Sequence, residues 1–299
     1  MSRRALTRYA WLSVGAAIVT IALKTAAWWF TDSVGLLSDA LESLVNLAAA
    51  LLTLCMLTLA ARPPDERHAY GYSKAEYLSG GIEGALILLA AILIMYAATL
   101  RFISPQPILR IDVGVVVSIL ASIVNFVVAR VLHRAAATHR SMALEADSRH
   151  LMTDVWTSAG VLIAVVAVYF TGWWRLDPII AFIVGAHIIW TGVQLMGNAG
   201  RGLLDYAMPP EERALIEEIL RSYEAHGVRY HALMTRQAAG HSFVTVHVLT
   251  PGEWTVQRGH DLVEEIETRI RTAIPHTSVL THLEPIGDPV SYQDIEPFR

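Results

Sequence analysis

Residues 142–170 read MALEADSRHLMTDVWTSAGVLIAVVAVYF. From Val155 onward the stretch carries no charge, yet its first half holds Glu145, Asp147, Arg149, His150 and Asp154. As a helix rising ~1.5 Å per residue, Val155 to Phe170 reaches only about 24 Å, short of the ~30 Å hydrocarbon core of a bilayer. A span built here must therefore take His150 and Asp154 in with it. The two lie four apart, so they project from one helical face a turn from each other. Glu145, Asp147 and Arg149 precede them on the same helix and are read as lining a wet approach from the cytoplasm.

Working outward, five more mostly apolar stretches have spanning length, giving six expected spans at about 9–30, 34–61, 77–101, 112–133, 142–170 and 177–198. Ser104-Pro105-Gln106-Pro107 is a breaker cluster that closes the third. The first follows Arg3, Arg4 and Arg8 like the basic start of a signal peptide, but it is too long and no small-residue cleavage pattern closes it. The whole chain is 54% hydrophobic and 17% charged over 299 residues, whereas a soluble chain has charge nearer a quarter. That excludes a wholly soluble enzyme, a disordered chain and a small secreted scaffold. The single cysteine, Cys55, excludes an intramolecular disulfide, a cysteine-only zinc cluster and a thiol redox pair. No basic face for nucleic acid is apparent, and no Gly-rich phosphate loop with a following Lys supplies an ATP site.

An even number of spans puts both termini on one side. Arg3, Arg4, Arg8, Arg62, Arg67, Lys74, Arg130, Arg134, Arg140, Arg149 and Arg201 fall on that side, against Arg101, Arg110 and Arg175 on the other. The richer side is expected to be cytoplasmic. Trp28, Trp29, Trp173 and Trp174 sit at the opposite span ends, as an interfacial belt would. After Pro209 the pattern becomes that of a soluble domain: helix over 211–223, strands over 228–235 and 242–250 joined at Ala238-Ala239-Gly240, helix over 256–274, and a strand over 278–283. The α-β-β-α-β order predicts a small two-layer α+β domain. The expected divisions are a transmembrane domain over 1–208, a cytoplasmic domain over 209–286 and a tail over 287–299.

The second span repeats the pattern of the fifth. Its fully apolar piece, Leu47 to Ala61, covers only about 22 Å, so Asp39, Glu42 and Asn46 also enter the bilayer. Glu42 and Asn46 are four apart, like His150 and Asp154. Facing each other, the two pairs offer two carboxylates, an imidazole and an amide oxygen, a four-coordinate set for a divalent first-row metal. Two carboxylates would balance the ion's charge in a medium that penalises bare charge. A structural cluster hydrogen-bonding across helices is the alternative, and intramembrane ionisable residues mark ion or proton routes more often than not. Asp39 fits ligation, helix packing or proton relay; lone His187 in the sixth span is read as packing.

At this point the residues resemble the cation diffusion facilitator family, six-span divalent-metal exporters with a cytoplasmic ferredoxin-like domain. Residues 33–46, SVGLLSDALESLVN, resemble the second-span signature, and 145–154, EADSRHLMTD, the fifth-span ligand pair. Residues 67–76, RHAYGYSKAE, resemble the loop after the second span, and 203–209, LLDYAMP, the junction to the tail. The resemblance implies transport ligands at Glu42, Asn46, His150 and Asp154, with Asp39 a possible accessory. Family members commonly carry Asp or His, then Asp, where this chain has Glu42 and Asn46, so Fe(II) and Mn(II) stay as open as Zn(II). Some relatives have a loop site of an Asp and two His. Asp65 and His68 match the first two, but Tyr72 stands third, and a phenol ligates Zn(II) poorly, so this site is expected to be weak or absent.

Seven of the chain's 12 histidines lie in the tail: His226, His231, His241, His247, His260, His276 and His282. By resemblance His231, His247, His260 and His282, with Glu284 in place of an Asp, hold regulatory metal at a dimer interface. The implied protein is a homodimeric, proton-coupled exporter of Zn(II), Fe(II) or Mn(II), multi-pass in a bacterial inner membrane with both termini cytoplasmic. It is no enzyme and needs no organic cofactor. His150 is the natural coupling group, since an imidazole holds a proton or a metal but not both. The rival reading is a membrane-anchored metal sensor or scaffold that binds without transporting; a membrane metallohydrolase has no supporting motif.

Overall fold

The computed structural model describes residues 6–31, 34–104 and 113–293. Within its helices some side chains lie outside the description, those of Trp28, Asp39 and Glu42 among them, as does the Pro105–Pro107 breaker. The chain divides into two compact units, Met1–Gly200 and Arg201–Arg299.

Among the described residues the first unit holds six long helices: α1 (Thr7–Thr31), α2 (Val34–Ala60), α3 (Ala75–Ile103), α4 (Val113–His139), α5 (Met142–Thr171) and α6 (Leu176–Leu203). α1, α3, α4, α5 and α6 each contain a described stretch long and apolar enough to cross a membrane; in α2 the described apolar piece is Asn46–Ala60. α1 packs on α2 and α4, α4 on α5, and α3 and α2 on α5. Leu6, Ala10, Leu57, Leu132, Leu144 and Leu151 form part of one buried core joining α1, α2, α4 and α5. Outward, α3 exposes Leu89, Ile92, Leu93 and Tyr96, the apolar exterior that lipid rather than water tolerates.

Connections set the partners. Arg140 takes φ 51° between α4 and α5, and two residues reverse the chain, so α4 and α5 run antiparallel in contact. Ser141 caps α5, its hydroxyl accepting from the Leu144 N–H at 3.4 Å while donating to the buried Glu76 of α3. At the far end Gly172, at φ 67°, closes the helix through an N–H bond to Val168. α3 and α6 approach at Gly84 and Gly192, where an added Cβ would come within 2.8 Å of Met196 and of Leu88 respectively. Small residues of this kind let membrane helices touch backbone to backbone.

The second unit comprises α7 (Pro210–Arg221), β1 (Arg229–Ala238), β2 (His241–Thr250), α8 (Val256–Ala273) and β3 (Thr277–Pro285). β1 and β2 form an antiparallel hairpin turning at Ala239-Gly240, with a register shift between His231 and Met234; β3 lies parallel to β2 on its other side. Val244, Val246 and Val248 of β2 pack with Ile216 and Leu220 of α7 and Ile266 and Ile270 of α8. Strand alternation therefore turns Thr245 and His247 to the face away from the helices.

Candidate metal centres

In the helical unit α2 and α5 meet at Asn46, His150 and Asp154. The Asn46 amide nitrogen donates to Asp154 Oδ2, and its carbonyl oxygen lies 2.9 Å from His150 Nε2. Asn46 and His150 are both 6% exposed. One amide thus holds the imidazole and the carboxylate at once, placing a nitrogen and oxygens from two helices around one point. Glu42 lies on α2 one turn before Asn46, with its side chain, like that of Asp39, outside the described residues. Thr153 and Thr157 turn their hydroxyls back to the carbonyl oxygens of Arg149 and Asp154, so these hydroxyls are bonded within α5 itself. His187 packs edge-on to Trp156 at 5.6 Å between ring centroids.

A fourth residue joins this centre that sequence reasoning missed. Asn125 of α4 is 5% exposed and donates to Asp154 Oδ2 at 3.2 Å. Its carbonyl oxygen is buried with no hydrogen-bond partner among the described residues. The signal was present as an asparagine inside the apolar run ILASIVNFVV, which lacks the i, i+4 companion that marked the other helices.

In the second unit three strands bring a row of histidines together on the sheet face away from the helices. His231 pairs across from His247 and His247 across from His282, with ring centroids 5.1 and 5.0 Å apart. Glu284, two residues beyond His282 and so on the same face, reaches all three. Its carboxylate lies 2.8 Å from His231 Nε2, 3.3 Å from His247 Nδ1 and 3.5 Å from His282 Nε2. His231, His247 and Glu284 offer ligand atoms within 4.8 Å of one another. His231 Nδ1 is buried and has no hydrogen-bond partner among the described residues. Two imidazoles and a carboxylate at this spacing fit a first-row divalent ion. His282 stands at the exposed rim, and the turn at Pro289–Tyr292 sets the Tyr292 ring 5.9 Å from His231. His260 is not brought to the cluster; it lies on the exposed side of α8, in the layer behind the sheet. His226 and His276 are exposed at chain turns, and His241 pairs with Ser278.

The loop between α2 and α3 is closed on itself. Asp65 accepts from the Tyr72 hydroxyl at 2.5 Å and from the backbone N–H groups of Arg67 and His68, and His68 Nδ1 lies 3.3 Å away. The Tyr72 hydroxyl, then the loop N–H of His68, holds the Asp65 carboxyl below its ordinary range, and the same bond pushes the Tyr72 phenol up. Tyr72 therefore occupies the carboxylate that a metal would need.

The described geometry is that of a helical membrane unit with an intramembrane polar centre, followed by a domain carrying a histidine-carboxylate cluster. Residues 10–204 match the cation efflux transmembrane domain and residues 208–286 the cytoplasmic domain of cation efflux proteins. The chain belongs to the cation diffusion facilitator family and is an integral membrane protein of the cation-efflux class. It is 50% identical over 298 residues to sll1263, an uncharacterised transporter of Synechocystis, covering 100% of this chain and 96% of that one. It is 29% identical over 283 residues to the cation-efflux pump FieF of Shigella boydii and of Escherichia coli, covering 94% of this chain and 93% of each. Among solved structures it aligns with CzrB at 32% identity over 27% of this chain and 99% of that one, with a TM-score of 0.26.

Proposed function

We propose that this protein exports a divalent first-row metal ion, Zn(II), Fe(II) or Mn(II), from the cytoplasm in exchange for protons. The carrying observation is the buried junction in which Asn46 ties His150 to Asp154 across α2 and α5. Ligands on two helices that move against each other can open to either side of a bilayer around a fixed site. Glu42, a turn from Asn46 on α2, supplies the second carboxylate that makes the loaded site near neutral. His150 exchanges a proton for the ion. Asn46 and Asn125 contribute neutral oxygens, a set harder than a two-histidine site, which keeps Fe(II) and Mn(II) beside Zn(II).

His231, His247 and Glu284, with His282 at their rim, hold a second ion that reports cytoplasmic metal and brings two subunits together. The wider set named from resemblance includes His260, which would have to reach the cluster of a second copy. The membrane is a bacterial inner membrane with both termini cytoplasmic, following the Arg and Lys bias. The test is proton movement: vesicles holding the protein and a trapped pH-sensitive dye receive each ion in turn. The exporter changes internal pH with the transported ion only. A sensor that binds without transporting leaves the dye unchanged with all three.

A further inference from the structure

Two buried acids belong to neither metal centre. Glu83 of α3 is 0% exposed and Asp147 of α5 is 1% exposed. Glu83 Oε1 accepts from the Thr53 hydroxyl of α2 at 2.5 Å and from Ser79 at 3.0 Å; Asp147 Oδ1 accepts from the Ser13 hydroxyl of α1 at 3.0 Å. The second oxygen of each, Glu83 Oε2 and Asp147 Oδ2, is buried with no hydrogen-bond partner among the described residues. Glu83 and Asp147 lie on helices that pack directly against each other, α3 on α5. Four helices thus converge on one acid pair.

The surroundings offer no compensating positive charge among the described residues. α1 presents Ser13; Tyr9 and Arg8 lie four and five positions before it and Lys24 eleven after, with Arg8 exposed and set against the Tyr9 ring. α2 presents Thr53, beside exposed Cys55 and after Glu42 and Asn46. On α3 the other acid is Glu76, two turns nearer the helix start and bonded to Ser141. On α5 Arg149 is taken up by Glu145 at 2.8 Å, and His150 stands a turn on. α4 has Arg130, His133 and Arg134 exposed, and α6 carries only His187 between Asp177 and Arg201. Two carboxylates stripped of water on packed helices cannot both stay ionised without a cation. A divalent metal needs four or more ligands, and the hydroxyls here are already donors to the carboxylates. A proton needs one oxygen, and the two unpartnered oxygens provide the place for it.

We propose that Glu83 and Asp147 hold one proton between them and release it when the transported ion loads the neighbouring site, so that this pair is a proton-binding site of the exchange. The proposal rests on the exporter reading given above. Asp147 precedes His150 by three residues, ~4.5 Å along α5, and Thr53 follows Asn46 by seven, ~10 Å along α2. A divalent charge arriving at that distance in a poorly screening interior repels the shared proton. The proton passes to water at the end of the bundle where α3 and α5 begin. Metal and proton then occupy different atoms and exchange through their charges.

The test counts protons. The full chain in detergent is titrated with Zn(II) in two buffers of different ionisation heat, which gives protons released per zinc bound. Glu83→Gln and Asp147→Asn are each expected to bind as much zinc as wild type while releasing about one proton fewer, and the double variant to lose no more than either single. Proton counts equal to wild type, or a double variant that loses two, overturn the shared proton. On the unmodified protein, infrared spectra should show a protonated carboxyl band that disappears on adding zinc; its persistence overturns the proposal without any variant. Equal zinc stoichiometry in wild type and His150→Ala overturns the exporter site instead, and is recognised because failure of the acid pair leaves stoichiometry intact.

Discussion

Asn46 does the work of a linker at the centre of the helical unit: its amide serves Asp154 with a donor and His150 with an acceptor. Replacing it with Asp would add a further carboxylate to those of Asp154 and Glu42 and remove the donor. Asp154 would then face a like charge in a buried site, at a cost of about 1–3 kcal/mol without metal. Thermal melting in detergent should place Asn46→Asp below wild type when metal-free and close the gap when Zn(II) or Mn(II) is added. An unchanged metal-free midpoint would contradict the linking role. At the loop, Asp65 is held below its ordinary value chiefly by Tyr72. A depressed carboxyl contributes above its unfolded value and loses that contribution as pH falls through its folded one, so the loop bonds open only in acid. Tyr72→Phe should raise the Asp65 midpoint in a carboxyl-carbon NMR titration; an unmoved midpoint would assign the depression to the loop N–H groups. The junction of Asn46 with His150 and Asp154 was foreshadowed because i, i+4 spacing within an apolar helix is a one-dimensional signal, and the same spacing is what names Glu42 a candidate. Asn125 and the Glu83 and Asp147 pair were not, since each gains its meaning from a residue on another helix.

Among elements, the helices were legible because apolar length is a local property: the stretch expected at 142–170 is the helix Met142–Thr171, while α4 and α6 run on past the expected 133 and 198 to His139 and Leu203, through polar residues that carry no apolar signal. The tail strands were equally local, though β1 runs on to Ala238 and leaves the expected Ala238-Ala239-Gly240 turn to Ala239-Gly240. What periodicity could not supply was pairing. That β3 lies parallel to β2, with His282 beside His247, depends on α8 carrying the chain back across the sheet. Alternation then puts Glu284 on the histidine face. Likewise nothing in the sequence told which helices Gly84 and Gly192 would join. At that crossing a Cβ on Gly84 would also lie 3.2 Å from the Met196 backbone nitrogen, which cannot swing aside as a side chain can. Gly84→Val should therefore destabilise the bundle by about 1–3 kcal/mol, seen as a lower melting temperature in detergent. An unchanged melting temperature would mean that α3 and α6 part readily.

The whole molecule carries a buried polar centre on α2 and α5 in one unit and, in the other, a His231, His247 and Glu284 cluster spaced to hold a metal. The proposed exchange would account for acids and histidines kept inside the helices of a chain so poor in charge: neutral substitutes would hold neither a metal nor a proton. The central claim is that a metal ion passes through the His150 and Asp154 site against protons. Its most direct test is uptake of Zn(II), Fe(II) and Mn(II) into vesicles of the wild-type chain and of Asp154→Ala, with and without an imposed pH gradient. The account predicts accumulation of at least one ion that requires the gradient and is lost in Asp154→Ala. Binding of metal with no gradient-dependent uptake of any of the three, or uptake that survives loss of Asp154, would contradict it.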